Sequence, residues 1–175
     1  MEPNIIVKYG NAGYLAAKGE IHAVLTRLGD QKAEQELLQP GVIGVATKMD
    51  SRKVIEDARE LYLGDPDSFR ATKQWIPADY WCEPTIDAIK KTLREEIKEF
   101  VTPLDHYCIS FAKNKSSLSD EEVIGMIVPQ LMGKIDSDHP QKTLFVEIYD
   151  KAVLTLTLNK YVLTLGTGWA RSLEN

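Results

Sequence analysis

"HYCISFAKNKSSLSDEEVIGMIVPQLMGKI", residues 106–135, holds a strand, a basic loop and a helix start in sequence, and its reading decides the fold of the second half of the chain. HYCISFAK (106–113) carries the aromatic and β-branched residues that favour a strand. Ser119 followed by Glu122 is a capping box: the serine oxygen takes a free backbone N–H and the glutamate reaches back to the serine's own. The helix that opens there is expected to bury Val123, Ile124, Ile127, Leu131 and Ile135, with Pro129 kinking or interrupting it. Between strand and helix, Lys113, Asn114, Lys115, Ser116 and Ser117 supply cations and short polar donors, a composition that suits phosphate oxygens beside a partly positive helix end. Asp120, Glu121 and Glu122 already satisfy that dipole. A phosphate is therefore expected on the loop, offset from the helix axis.

Upstream, EPTIDAIKKTLREEIKEFV (83–101) places Ile86, Ile89, Leu93, Ile97 and Phe100 at steps of three and four, with Pro84 and Asp87 suited to a first helical turn. Lys90, Arg94 and Lys98 lie four apart and form a basic ridge, with Lys91 alongside. Glu95, Glu96 and Glu99 are interleaved, and Lys91 with Glu95 is itself an i,i+4 pair, so a plain solvated face is the competing reading. Downstream, TLFVEIYDKAVLTLTLNKYVLTLG (143–166) predicts up to three strands turning at Asp150-Lys151 and Asn159-Lys160. Residues 80–168 thus read as helix, strand, helix and meander.

Residues 4–79 read strand, helix, strand, strand, helix, strand. NIIVKY is a short β-branched run; the helix after it carries Leu15, Ile21, Val24, Leu25 and Leu28 at helical spacing, and Gly29 closes it. AEQELL and GVIGVATK flank a Pro40-Gly41 turn. Asp50 or Ser51 caps a second helix with Val54, Ile55, Ala58 and Leu61 on one face, GDPD stops it, and FRATKQWIPAD supplies the last strand, with Pro77 near its end. The order βαββαβ is that of a ferredoxin-like domain. The fold class is α+β.

A chain of 175 residues, 43% hydrophobic and 27% charged, is long enough for one domain or two small ones. Its net charge of -5 argues against a molecule coated in positive charge, though not against a local patch. No signal-peptide pattern and no run of about 20 apolar residues is present, so an intracellular, cytoplasmic protein without membrane contact is expected. Cys82 and Cys108 lack CxxC spacing, and His22, His106 and His139 are scattered, so no metal is expected. GNAG and GTG lack a Rossmann or P-loop frame. An enzyme built on Cys108 or a histidine would lack a partner group at recognisable spacing. No catalysis and no cofactor is expected.

The order of elements around the basic loop resembles a THUMP domain, an RNA-binding module of tRNA-modifying proteins. IDAIKKTLREEI, CISFAKNKSSLSDEEVIGMIV, GKIDSDHP and KTLFVEIYDKAVLTL carry the resemblance, over roughly residues 80–158, and the βαββαβ segment is similar to the ferredoxin-like domain that accompanies THUMP. Family members carry a methyltransferase, a thiouridine-forming pyrophosphatase domain, a deaminase or a pseudouridine synthase. A free-standing ferredoxin-like plus THUMP chain looks like the adaptor subgroup that presents tRNA to a separate cytidine acetyltransferase. The resemblance implies two partners: tRNA, docked through its acceptor stem and CCA end, and an RNA-modifying enzyme. It also implies that Lys113, Lys115, Ser116 and Ser117 hold phosphates and that Lys134 and Lys142 flank a second contact loop, whereas the ridge of Lys90, Arg94 and Lys98 is a candidate secondary RNA contact on its spacing alone, and Asn114 a candidate on the composition of the loop. "FAKNK" has lysines where related surfaces often present arginine. The alternative is a ferredoxin-like protein–protein interaction module that never touches RNA, which the acidic composition favours.

Overall fold

Ile5 and Val7, Ile43 and Val45, each two apart on a strand and so on one face of it, pack with two amphipathic helices and close the βαββαβ segment into one layer of sheet and one of helix. The computed structural model describes residues 1–113 and 119–166. Its elements here are β1 (Ile5–Tyr9), α1 (Tyr14–Leu28), β2 (Glu34–Gln39), β3 (Val42–Ala46), α2 (Ser51–Gly64) and β4 (Thr72–Pro77). Strand β1 lies between β4 and β3, antiparallel to both, with Ile5 opposite Pro77 and Val45. Ile5, Val7, Val45 and Trp75 pack against Ile21 and Leu25 of α1 and Val54 and Ile55 of α2. Asp50 is the α2 cap, its side chain accepting from Lys53 N at 2.8 Å. Gly29 ends α1 at φ 101°, a left-handed conformation that glycine adopts without steric cost. Leu15, expected inside, is 80% exposed. The buried stripe is Ala17, Ile21, Val24 and Leu25, and a residue two positions before Ala17 falls on the far side of the helix.

The Glu20 carboxylate joins α1 to the start of β4. It accepts N–H bonds from Arg70 (2.7 Å), Ala71 (2.7 Å) and Thr72 (2.9 Å), and the Thr72 hydroxyl at 2.5 Å. An ionised acceptor of this kind gives bonds roughly twice as strong as neutral ones.

The meander expected at the C-terminal end is broken. Strand β10 (Leu163–Thr164) leaves the second sheet and pairs antiparallel with β4, Leu163 opposite Trp75, so the first sheet runs β10-β4-β1-β3-β2. The chain accordingly divides into Met1–Pro77 with Lys160 onward, and Ala78–Asn159. The element order alone places residues 80–168 in the second domain. Burial explains the difference: Val162 and Leu163 are 6% and 3% exposed, and Arg59 donates to the carbonyls of Lys160 and Val162.

The second unit contains β5 (Tyr80–Cys82), α3 (Ile86–Thr92), β6 (His106–Lys113), α4 (Asp120–Ile127), β7 (Lys134–Ile135), β8 (Lys142–Ile148) and β9 (Ala152–Leu158), in the sheet order β5-β9-β8-β6-β7. Strand β6 is parallel to both β7 and β8, whereas β9 is antiparallel to β8 and to β5. The helix begun by α3 continues through a π turn (Leu93–Ile97) and a 3-10 turn (Lys98–Phe100). The reason lies in the apolar spacing. Ile89, Leu93, Ile97 and Val101 are all buried and four apart, and in an α-helix steps of four drift by about 40° each. The wider π turn, in which Lys98 N–H reaches Leu93 O, takes up the drift. It also shifts the phase beyond it, so that Val101 is buried and Phe100, expected inside, is 61% exposed.

Helix α4 carries the expected capping box, Glu122 N to Ser119 Oγ at 3.1 Å and Ser119 N to Glu122 Oε2 at 2.8 Å. It ends at Ile127, earlier than predicted, with Pro129 inside a 3-10 turn at Val128–Gln130. Ile135 is consequently not helical but in edge strand β7, 42% exposed, and Ile124 is 38% exposed. Replacing Glu20 with alanine is expected to lower the unfolding free energy by about 1–3 kcal/mol, the range for losing hydrogen bonds to a charged acceptor, read as a lower urea midpoint at unchanged slope.

Candidate nucleic-acid interface

The register of β6 separates the predicted cations into two sets. Lys113 closes the strand, opposite Ile148, whereas Lys134 pairs with His106 at its beginning. Seven residue steps along the strand separate His106 from Lys113, about 23 Å at ~3.3 Å per residue. Strand β5 runs parallel to β6 through the two antiparallel pairings of β9, so α3, which returns the chain to the start of β6, runs opposite to it. Lys90 therefore lies toward the Lys113 end and Lys98 toward the Lys134 end. Arg94 and Lys98 are exposed and Lys90 is half-buried; among the described residues none of the three enters an ion pair. Lys91 and Glu95 do approach each other, at 4.0 Å.

Lys113 stands over the Phe111 ring at 5.9 Å and pairs with Asp120 at 3.3 Å. The pair is exposed, so its strength is small, up to about 1 kcal/mol, and a phosphate can compete for the ammonium. Asn114, Lys115, Ser116 and Ser117 lie outside the described residues. Asp120 and the capped Glu122 occupy the first turn of α4, as their positions in the sequence required. The Glu122 carboxyl is held below its ordinary range, chiefly by the Ser119 backbone N–H.

At the other end, Lys134 is exposed on β7, and among the described residues it has no ion pair. Lys142 is different. Its Nζ donates to Asp105 Oδ2 at 2.9 Å and to the Phe100 carbonyl at 2.8 Å, and its side chain is only 23% exposed. The ammonium is a structural tie across 37 residues, which no local motif could have announced. The Lys142 bond, followed by the Thr102 N–H, keeps the Asp105 carboxyl below its usual range. Asp105 O accepts from Lys134 N at 2.8 Å. Gly133 permits this approach, because a Cβ there would lie 2.8 Å from both Asp105 O and Val101 Cγ1.

The loop GKIDSDHP is organised by Asp136. Its Oδ1 accepts from the backbone of His139 (2.9 Å) and Asp138 (3.1 Å), and its Oδ2 bonds His106 Nδ1 at 3.0 Å. These bonds, the His139 N–H first, bring its carboxyl down to about 2. The short Asp-to-His spacing was a readable turn signal; the His106 partner was not. Among the described residues no group of His, Cys, Asp and Glu is placed to hold a metal, and no helix is long and apolar enough to cross a membrane. In the first unit a cavity of about 580 Å³ lies among Arg59, Tyr62, Phe69, Lys73 and Leu165, and none of the sequence-predicted cations lines it.

No family model and no curated protein matches the chain. Solved structures do match its fold. The protein PH1313 from Pyrococcus horikoshii superposes with a TM-score of 0.60 at 16% identity, over 93% of this chain and 55% of that one. A 4-thiouridine synthetase, solved with RNA and bound ATP, superposes at 0.53 and 12%, over 94% and 42%. TrmN from Thermus thermophilus gives 0.57 and 9%, over 87% and 44%. The α+β, two-sheet fold expected from the sequence is the fold shared with these proteins, and the chain spans about half the length of each.

Because the Asp136 carboxyl has a folded-state pKa below its unfolded value of about 3.9, its contribution to stability is present above that value and is lost as pH falls through about 2. Asp136→Asn is thus expected to have a lower urea midpoint than the wild type at pH 5, and the two midpoints are expected to converge between pH 4 and pH 2.

Proposed function

We propose that this chain is a non-catalytic tRNA-binding protein of the ferredoxin-like plus THUMP type, which presents tRNA to a separate RNA-modifying enzyme. The observation that carries the reading is the superposition on the RNA-bound 4-thiouridine synthetase, which covers 94% of this chain, together with exposed cations on the second unit: Lys113, Arg94, Lys98 and Lys134. In this reading the Lys113 end of β6, with Lys115, Ser116 and Ser117 after it, positions phosphates of the acceptor end. Lys134 meets the backbone about 23 Å away. Lysines act as point charges without arginine's fork, so they position a backbone and read little sequence. Selectivity then comes from tRNA shape and from the partner enzyme. A cytidine acetyltransferase is the partner this reading favours.

One feature favours a protein-docking role in addition: Ile124, Val128 and Met132, four apart, are 38%, 38% and 63% exposed.

Mobility shift against tRNA with and without its CCA end tests the reading. About four phosphate contacts to a single-stranded end give a log–log salt slope of roughly -3, at about 0.7 per contact. Lys113→Glu/Lys115→Glu is expected to abolish binding with the circular dichroism spectrum unchanged. Equal binding by mutant and wild type would remove the loop from the interface, and no binding by wild type at low salt would leave protein docking as the function.

A further inference from the structure

Where the helix of α3 ends, two apolar side chains stand in solvent: Phe100 is 61% and Leu104 87% exposed. The segment carrying them is nevertheless tied down. Lys142 Nζ bridges the Phe100 carbonyl (2.8 Å) and Asp105 Oδ2 (2.9 Å). Asp105 Oδ2 also accepts from Thr102 N at 2.7 Å, Asp105 N donates to Thr102 O at 3.1 Å, and Asp105 O receives Lys134 N at 2.8 Å. A fixed backbone thus presents an exposed aromatic ring, in a short segment shared with the exposed Lys98 and stitched to the strand that bears the exposed Lys134.

The local charge balance adds direction. Among the described residues neither Lys98 nor Lys134 has an ion pair. Of the nearby carboxylates, Asp105 is bonded to Lys142 and backbone and Asp136 to His106 and two N–H groups, while Asp138 is exposed in the Asp136 loop. Glu99 is exposed in the same 3-10 turn as Lys98 and Phe100. Flat apolar surface flanked by free cations is the combination that holds single-stranded nucleic acid: the ring stacks on a base face while the cations track the backbone. A duplex offers no such face, because its bases already stack on each other.

Resting on the RNA reading above, we propose that this end of the second unit seats an unpaired nucleobase. Phe100 is the stacking platform, Lys98 and Lys134 hold the adjoining phosphates, and Lys142 is a positioning residue that fixes Phe100 without touching the RNA.

The test uses the full chain and fluorescence anisotropy with two probes, a labelled single-stranded RNA octamer ending in ACCA and a blunt duplex of the same sequence, across a salt series. Phe100→Ala is expected to weaken the single strand about tenfold, the lower part of the range for losing one base–aromatic stack, with duplex affinity and salt slope unchanged. Phe100→Tyr should restore it. Lys98→Ala/Lys134→Ala should instead reduce the magnitude of the slope by about 1.4, two contacts at about 0.7 each. Lys142→Met should behave like Phe100→Ala, with the slope kept, whereas a lysine contacting phosphate would lose slope.

Single-strand binding by Phe100→Ala equal to wild type, alongside its loss in Lys113→Glu/Lys115→Glu, overturns the stacking seat and leaves the RNA reading standing. Failure of wild type to bind either probe at low salt overturns both. Equal losses for single strand and duplex, or a monomeric Phe100→Ala beside a self-associating wild type in sedimentation, assign the ring to a protein contact and likewise overturn the seat.

Discussion

The parallel ladder between β6 and β8 is the constraint from which the second unit follows. Seven residues of β6 pair with seven of β8, Tyr107 with Lys142 through Lys113 with Ile148. Parallel neighbours cannot be joined by a hairpin, so the chain must cross from one end of the sheet to the other between them. Helix α4 makes that crossing, and α3 makes the earlier one from β5. Both pack on the face that presents Leu144, Val146 and Ile148. Every connection is thereby forced to one end of β6 or the other. Lys113 falls at one end. Phe100 to Asp105, Lys134 and the Asp136 loop fall at the opposite one.

The anionic balance of the chain looks different once its carboxylates are located. Glu20 is held by three backbone N–H groups, Asp50 and Glu122 cap helices, Asp105 ties a turn and Asp136 closes a loop. Asp30 accepts the Thr47 hydroxyl and the Lys32 N–H, and its carboxyl is held below the ordinary range, by Thr47 first. Such groups do local structural work, so net charge alone is a poor guide to the field near a particular surface. On the second unit Arg94, Lys98 and Lys134 remain exposed without ion pairs among the described residues. A formal charge of -5 and a local cationic surface are compatible for this reason.

Short-range signals proved readable wherever the partner lies within a few residues. Ser119 and Glu122 form their box, Asp50 caps α2, Gly29 ends α1, and Lys91 approaches Glu95. The βαββαβ order was equally legible, because each element announces its own period. Pairings between distant segments were not. Strands β5 and β7 are three and two residues long, too short to show alternation. Strand β10 looks like the third strand of a meander until Trp75 is seen beside it. Phe100 was misplaced because the regular helical count fails at a π turn, and Lys142 because its acceptors come from a different part of the chain.

Local pattern fixes the class of fold, the helix caps at Asp50 and Ser119 and which residues are apolar enough to be buried. These depend on backbone propensity and on contacts a turn away, both of which a local pattern encodes. Tertiary structure alone decided which cations are available. An ammonium's role is set by the oxygens that surround it, and for Lys142 these come from Phe100 and Asp105, some forty residues earlier in the chain. Lys134 carries the same charge and stays exposed, because the strand that bears it lies at the open edge of the sheet.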